Sequence, residues 1–235
     1  MKRTLIILAI ALLAPAILLA QLTREGGAVQ RPGGGSSEFT LAAKLYSDGM
    51  YDLARTQFKQ FIEKYPQSQQ TIEAQFYLGL SELALRDYEE ARRTFQNYAL
   101  TYQDQPKAPE AWWHVAECYS AQKNYREAAL AFDRLTVFYP RSSRAPDALL
   151  AAGGYFMTIG DTADARRSYR NLAANYAGTP QMTTARMKLA GLMAADGNLA
   201  GAKAELQHII SATADQSQKL DAQVSLASLL EHAGE

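Results

Sequence analysis

The sequence predicts an all-α fold: an α-solenoid of helix hairpins repeating every 37 residues. Three observations carry that reading. The first is a set of columns that recur at one fixed spacing. Ala54, Ala91, Ala128, Ala165 and Ala202 lie 37 residues apart, and four places after each stands a large residue: Phe58, Phe95, Phe132, Tyr169 and Leu206. A second column of small residues runs Ala42, Gly79, Ala116, Gly153, Ala190 and Ala227. The second observation is a turn column, Gly49, Arg86, Lys123, Gly160, Gly197 and Gly234, half-way along each repeat. The third is that no run alternates with the two-residue period of a strand. Small residues in fixed register mean helices that cross closely, because a large side chain there forces the axes apart.

Residues 109–140 show the unit most clearly. A first helix is predicted over about 110–121, with Pro109 at its opening turn, where a missing N–H costs nothing. A second runs over about 125–138 and stops at Pro140, which cannot continue a helix. The polar trio Gln122, Lys123 and Asn124 joins them. The same reading gives pairs at about 38–65, 73–102, 110–139, 147–176 and 184–212, then one final helix at about 219–233. The connectors YPQS (65–68), YQDQP (102–106), YPRSS (139–143) and YAGTP (176–180) carry the stop signals. The sixth pair lacks its second helix. That fits either a capping helix, which a solenoid needs at its end, or a longer protein continuing past residue 235.

Lys2 and Arg3 precede an uncharged run over residues 4–20. This is the pattern of a signal peptide, cut after Ala20 or Ala16, or else of a short anchor. Either way the remainder is expected outside the cytoplasm, in the periplasm or cell envelope. Residues 21–37, rich in Gly, are expected to be a flexible linker. The array then occupies 38–235.

Lysine plus arginine and aspartate plus glutamate both number 24, and removing residues 1–20 leaves 22 against 24. That balance gives no electrostatic case for nucleic acid. His114, His208 and His232 fall at unrelated repeat positions, and ligand spacing for a metal is missing. No catalytic constellation is present, so no enzyme activity, metal or cofactor is expected. The lone Cys118 is expected in the helix packing region as a small apolar residue. The Arg92–Arg93 and Arg166–Arg167 pairs on second helices are expected to be solvated.

Trp112, Val115, Ala116, Tyr119, then Tyr125, Ala128, Phe132, Leu135 and Pro140 resemble the tetratricopeptide repeat. The resemblance covers residues 38–235 and implies a right-handed superhelix. The 37-residue spacing, with FxxFIxxYPxS at 58–68 and FDRLTVFYPRSSRAPDA at 132–148, is similar to bacterial envelope proteins. The types in question are the Tol-Pal-associated (YbgF-like) and outer-membrane β-barrel assembly (BamD-like) ones. The N-terminal coiled coil of the first and the lipid-modified cysteine of the second are missing here. In such arrays the first helix of each pair faces a concave groove. Carried over by position, that groove receives Phe39, Tyr46, Phe76, Leu80, Leu83, Trp113, Glu117, Leu150, Met157 and Met187. Trp112 points into the core and Trp113, about 100° around the helix, points elsewhere. A groove rich in aromatic and Met side chains suits an apolar or helical segment of a protein partner. The implied role is a non-enzymatic exported scaffold in envelope assembly or maintenance. The other is the docking arm of a longer enzyme cut at residue 235. A membrane partner is expected only through an uncleaved N-terminal segment.

Overall fold

The structure, a computed structural model, describes residues 35–233. These form eleven helices: α1 (Ser36–Ser47), α2 (Tyr51–Lys64), α3 (Gln70–Ala84), α4 (Tyr88–Thr101), α5 (Ala108–Ala121), α6 (Tyr125–Phe138), α7 (Ala145–Thr158), α8 (Thr162–Asn175), α9 (Pro180–Ala195), α10 (Leu199–Ala212) and α11 (Gln216–Ala233). There is no strand among the described residues. Each helix packs mainly on its chain neighbours, and first helices also touch across the repeat, α1 with α3 and α7 with α9. This is an α-solenoid, one-dimensional in its contacts. The expected signal segment and most of the expected linker lie outside the described residues. The linker boundary itself moves: Ser36 and Ser37 already belong to α1.

The turn column explains the hairpin. Gly49, Arg86, Lys123, Gly160 and Gly197 all have positive φ, between 61° and 78°. Around each, two hydrogen bonds close the preceding helix. In the third pair Lys123 N–H donates to Ser120 O at 2.9 Å and Asn124 N–H to Tyr119 O at 2.9 Å. The same pattern recurs at the other four turns. It is the left-handed C-terminal cap that satisfies otherwise orphaned helix carbonyls and reverses the chain.

The small and large columns meet in space. Ala42, Ala116 and Ala190 are buried, as are Ala54, Ala91, Ala128, Ala165 and Ala202. At two repeats even alanine is too large. A Cβ on Gly79 would stand 2.8 Å from the Phe95 ring, and one on Gly153 would stand 2.3 Å from Tyr169. Buried side chains form one long cluster from Phe76 to Leu192. A smaller cluster lies on the N-terminal side of α3 around Phe58, and another beyond α9 around Leu206. Cys118 lies in the long cluster. Burial pushes its thiol up to about 12, which leaves it an unreactive small apolar group.

Ala129 is as fully buried as Ala128. One expectation about the second helices needs correction, that for the twin arginines. Arg93 and Arg167 are exposed, but Arg92 and Arg166 are largely covered. Arg92 lies over the Tyr119 ring of the next repeat at 5.2 Å, and Arg166 pairs with Asp196 of the next hairpin at 2.5 Å. Arg167, though exposed, also reaches Asp133 of the preceding hairpin at 2.8 Å, so these three arginines bridge repeats rather than being simply solvated.

Candidate functional site

The predicted groove residues occupy three register positions on the first helices. Phe39, Phe76, Trp113, Leu150 and Met187 take the first; Leu80 and Glu117 lie four places on; Tyr46, Leu83 and Met157 lie seven places on. That i, i+4, i+7 spacing gives one helical face. The face is not uniformly open. Glu117 and Met157 are exposed, whereas Phe39, Tyr46, Leu80, Leu83, Trp113, Leu150 and Met187 are half-buried.

Phe76 departs from expectation, being only 2% exposed. It stands edge-on to Phe95 at 5.5 Å and to Tyr98 at 5.3 Å, both on α4. Lys107, at the entry to α5, closes over its ring at 4.8 Å. Phe76 is core, roofed by the following repeat. The same device recurs one repeat later, where Arg144 lies over the Trp113 ring at 4.9 Å. The two cations are anchored by carboxylates in matching positions, Lys107 by Glu73 at 3.7 Å and Arg144 by Glu110 at 3.2 Å. In the next repeat Gln181 donates to Asp147 at 2.6 Å. A basic residue 31 places after Phe76 and again after Trp113 is the sequence signal that betrays these lids, and composition alone hides it.

At the N-terminal end the face is aromatic. Phe39 packs edge-on to Phe61 at 5.7 Å, and Tyr46 meets Tyr51 at 5.4 Å and Tyr77 at 5.3 Å. The middle is polar at one point. Trp113 stands edge-on to Phe132 at 4.8 Å and donates its indole N–H to Glu117 Oε1 at 2.8 Å. His114 Nδ1 lies 2.7 Å from Glu117 Oε2 and donates to it, since an ionised carboxylate only accepts. Partial desolvation works to raise the Glu117 pKa, but the hydrogen bonds from His114 and Trp113 and the positive charge of Arg144 outweigh it. The carboxyl is held below its ordinary range and is ionised at neutral pH. His114 Nε2 is buried without a hydrogen-bond partner, 3.9 Å from Glu110. Towards the C-terminal end the floor is bare: a Cβ on Gly154 or Gly191 would meet nothing within 4 Å. Among the described residues no group of His, Cys, Asp and Glu could hold a metal ion, and no helix is long and apolar enough to cross a membrane.

The chain belongs to the tetratricopeptide repeat family, which matches residues 39–101, 76–143 and 150–217. Solved structures share the fold at low identity. A tetratricopeptide repeat protein from Parabacteroides merdae is 14% identical with a TM-score of 0.55, covering 83% of this chain and 73% of that one. MamA is 14% identical with a TM-score of 0.53, covering 80% and 96%. The Pseudomonas aeruginosa pilF structure is 13% identical with a TM-score of 0.50, covering 83% of each chain. No curated protein matches the chain in sequence. Solenoids of this kind use their extended concave surfaces for protein partners, and a protein-interaction scaffold is the function class that the family defines.

Proposed function

We propose that the protein is a non-enzymatic scaffold, exported to the periplasm or cell envelope, that holds a segment of a protein partner against the face of its first helices. The role is envelope assembly or maintenance, the work of the Tol-Pal-associated and outer-membrane assembly proteins that the repeat spacing resembles. One observation carries the binding reading: a large apolar side chain recurs at one register of five successive first helices, Phe39, Phe76, Trp113, Leu150 and Met187, with Tyr46, Leu83 and Met157 seven places on, and all of these but Phe76 keep part of their surface open. Tyr46 and Leu83 pack against the core on one side and leave the other open, and Met157 is exposed, although Trp112, Phe95 and Leu78 already supply the core. Apolar faces kept at a surface mark interaction sites. Export rests on Lys2, Arg3 and the apolar run at 4–20.

Two experiments test the reading. A photo-reactive phenylalanine analogue placed at Tyr46, Leu83 or Met157 should give covalent protein adducts in cells. The same analogue at Leu53 or Val137, exposed on second helices, should give none; equal adducts from both sets overturn the groove. An alkaline phosphatase fusion after residue 37 should be active in a bacterial host. Inactivity beside an active cytoplasmic reporter overturns export.

A further inference from the structure

Glu117 is the one charged residue in the middle register of the groove, which otherwise reads Ala43, Leu80, Gly154 and Gly191. Other carboxylates on this side of the first helices are already engaged: Glu73 by Lys107, Glu110 by Arg144 and Asp147 by Gln181. Glu117 differs. Its oxygens are fixed by the N–H groups of Trp113 and His114, and among the described residues no lysine or arginine pairs with it. Arg144, whose charge acts on Glu117, is committed to Glu110 and to the Trp113 ring. The result is an exposed carboxylate, oriented by two donors and set beside the apolar ring of Trp113. An oriented carboxylate with no lysine or arginine paired to it is complementary to a cation brought by a ligand. On one side of it stand the apolar Leu80 and Leu83. On the other the floor is glycine in mid-helix, which weakens the helix relative to alanine and here relieves no clash. Bare backbone there admits close approach of another chain.

We propose that the segment bound in the groove carries a lysine or arginine flanked by apolar side chains, and that its cationic group sits on Glu117. This rests on the groove reading above and names what that groove selects. Glu117 would then set specificity through charge, while Leu80, Leu83 and Met157 supply apolar contact.

The test is selection of a phage-displayed library of random 16-residue peptides on the full chain, with wild type, Glu117→Gln and Glu117→Lys as separate baits. Wild type should enrich peptides with a basic residue between apolar ones. Their affinity should fall about tenfold on Glu117→Gln, as expected for loss of a charged hydrogen bond. It should also weaken with added salt, and the Glu117→Lys bait should enrich acidic peptides instead. Two blocking variants, Gly154→Leu and Met157→Glu, report whether the peptides lie in the groove. Circular dichroism melts confirm that every bait is folded. Peptides blocked by these variants but indifferent to Glu117 overturn the basic-residue assignment alone. Peptides indifferent to the blocking variants overturn the groove reading, and an empty selection counts against both.

Discussion

Tyr169 lies so close across the fourth hairpin that a methyl group on Gly153 would stand 2.3 Å from its Cε1. One position further along the same helix, a methyl group on Gly154 meets nothing within 4 Å. Two adjacent glycines therefore answer to different demands. Gly153→Ala should destabilise the array by about 1–3 kcal/mol through overpacking. Gly154→Ala should stabilise it by about 0.5–1 kcal/mol, the ordinary gain of alanine over glycine inside a helix. Urea midpoints of the two variants give the comparison; shifts of the same sign would show that Tyr169 moves aside freely.

The contrast also marks how much of this protein is legible in its sequence. The 37-residue columns locate every hairpin to within a few residues, because a solenoid repeats its packing problem and so repeats its answer. The small column and the aromatic column are visible as separate patterns, and their contact follows from both being at the crossing. What a single repeat cannot show is what the next repeat lays over it. Phe76 reads as a groove residue by register, yet Lys107 from the following hairpin roofs it. Ala129 is buried at the register where Arg55, Arg92, Arg166 and Lys203 stand in the other repeats. Likewise the pairing of Trp113 with Glu117 is an i, i+4 contact that register alone could suggest. The lid of Arg144 over the same ring comes from outside the repeat.

Arg86 and Lys123 hold φ of 61° and 62°, where the three other described repeats place glycine. Left-handed backbone is strained for residues with a Cβ. Arg86→Gly and Lys123→Gly should each raise stability by a few tenths to about 1 kcal/mol, the unfolded chain's extra freedom offsetting part of the gain. The reciprocal change, Gly160→Arg, should lower it. Thermal melts of the three variants decide this. A loss in both glycine variants would mean that the side chains contribute more than the strain costs.

Glu82 occupies the register taken elsewhere by Leu45, Tyr119, Phe156 and Met193, and it is only 1% exposed. Thr94 Oγ1 donates to its Oε2 at 2.7 Å, and Lys59 Nζ stands 3.4 Å from its Oε1. Burial pushes this carboxyl above its ordinary range, and Thr94 and Lys59 only partly counter it. A raised carboxyl favours the protonated fold. The folded state is therefore penalised as pH rises from the unfolded value of about 4.3 through the raised folded value. Glu82→Gln keeps an acceptor for Thr94 and cannot ionise. It should match wild type near pH 4 and exceed it in melting temperature at pH 7. A variant less stable than wild type at pH 7 would show that the Lys59 pair more than repays the desolvation.

The two adjacent tryptophans separate folding from binding. Trp112 is 2% exposed, stacked on Phe138 at 6.2 Å and covered by Arg134 at 5.5 Å. Removing it leaves a cavity at the centre of the long core cluster, so Trp112→Ala should cost about 3–5 kcal/mol and melt the array early. Trp113 is half-buried, and its contacts are peripheral: the edge of Phe132, the Arg144 lid and the hydrogen bond to Glu117. Trp113→Ala should cost clearly less stability. It should instead release Arg144 and leave one oxygen of Glu117 without its donor, disordering the polar point of the groove. A tryptophan that anchors a partner is commonly worth about 2 kcal/mol or more of affinity, so binding of a groove peptide should fall at least thirtyfold while helix content is kept. Melting curves and binding isotherms on the same two preparations settle it. If Trp113→Ala melts as early as Trp112→Ala, Trp113 belongs to the core and the groove loses its anchor.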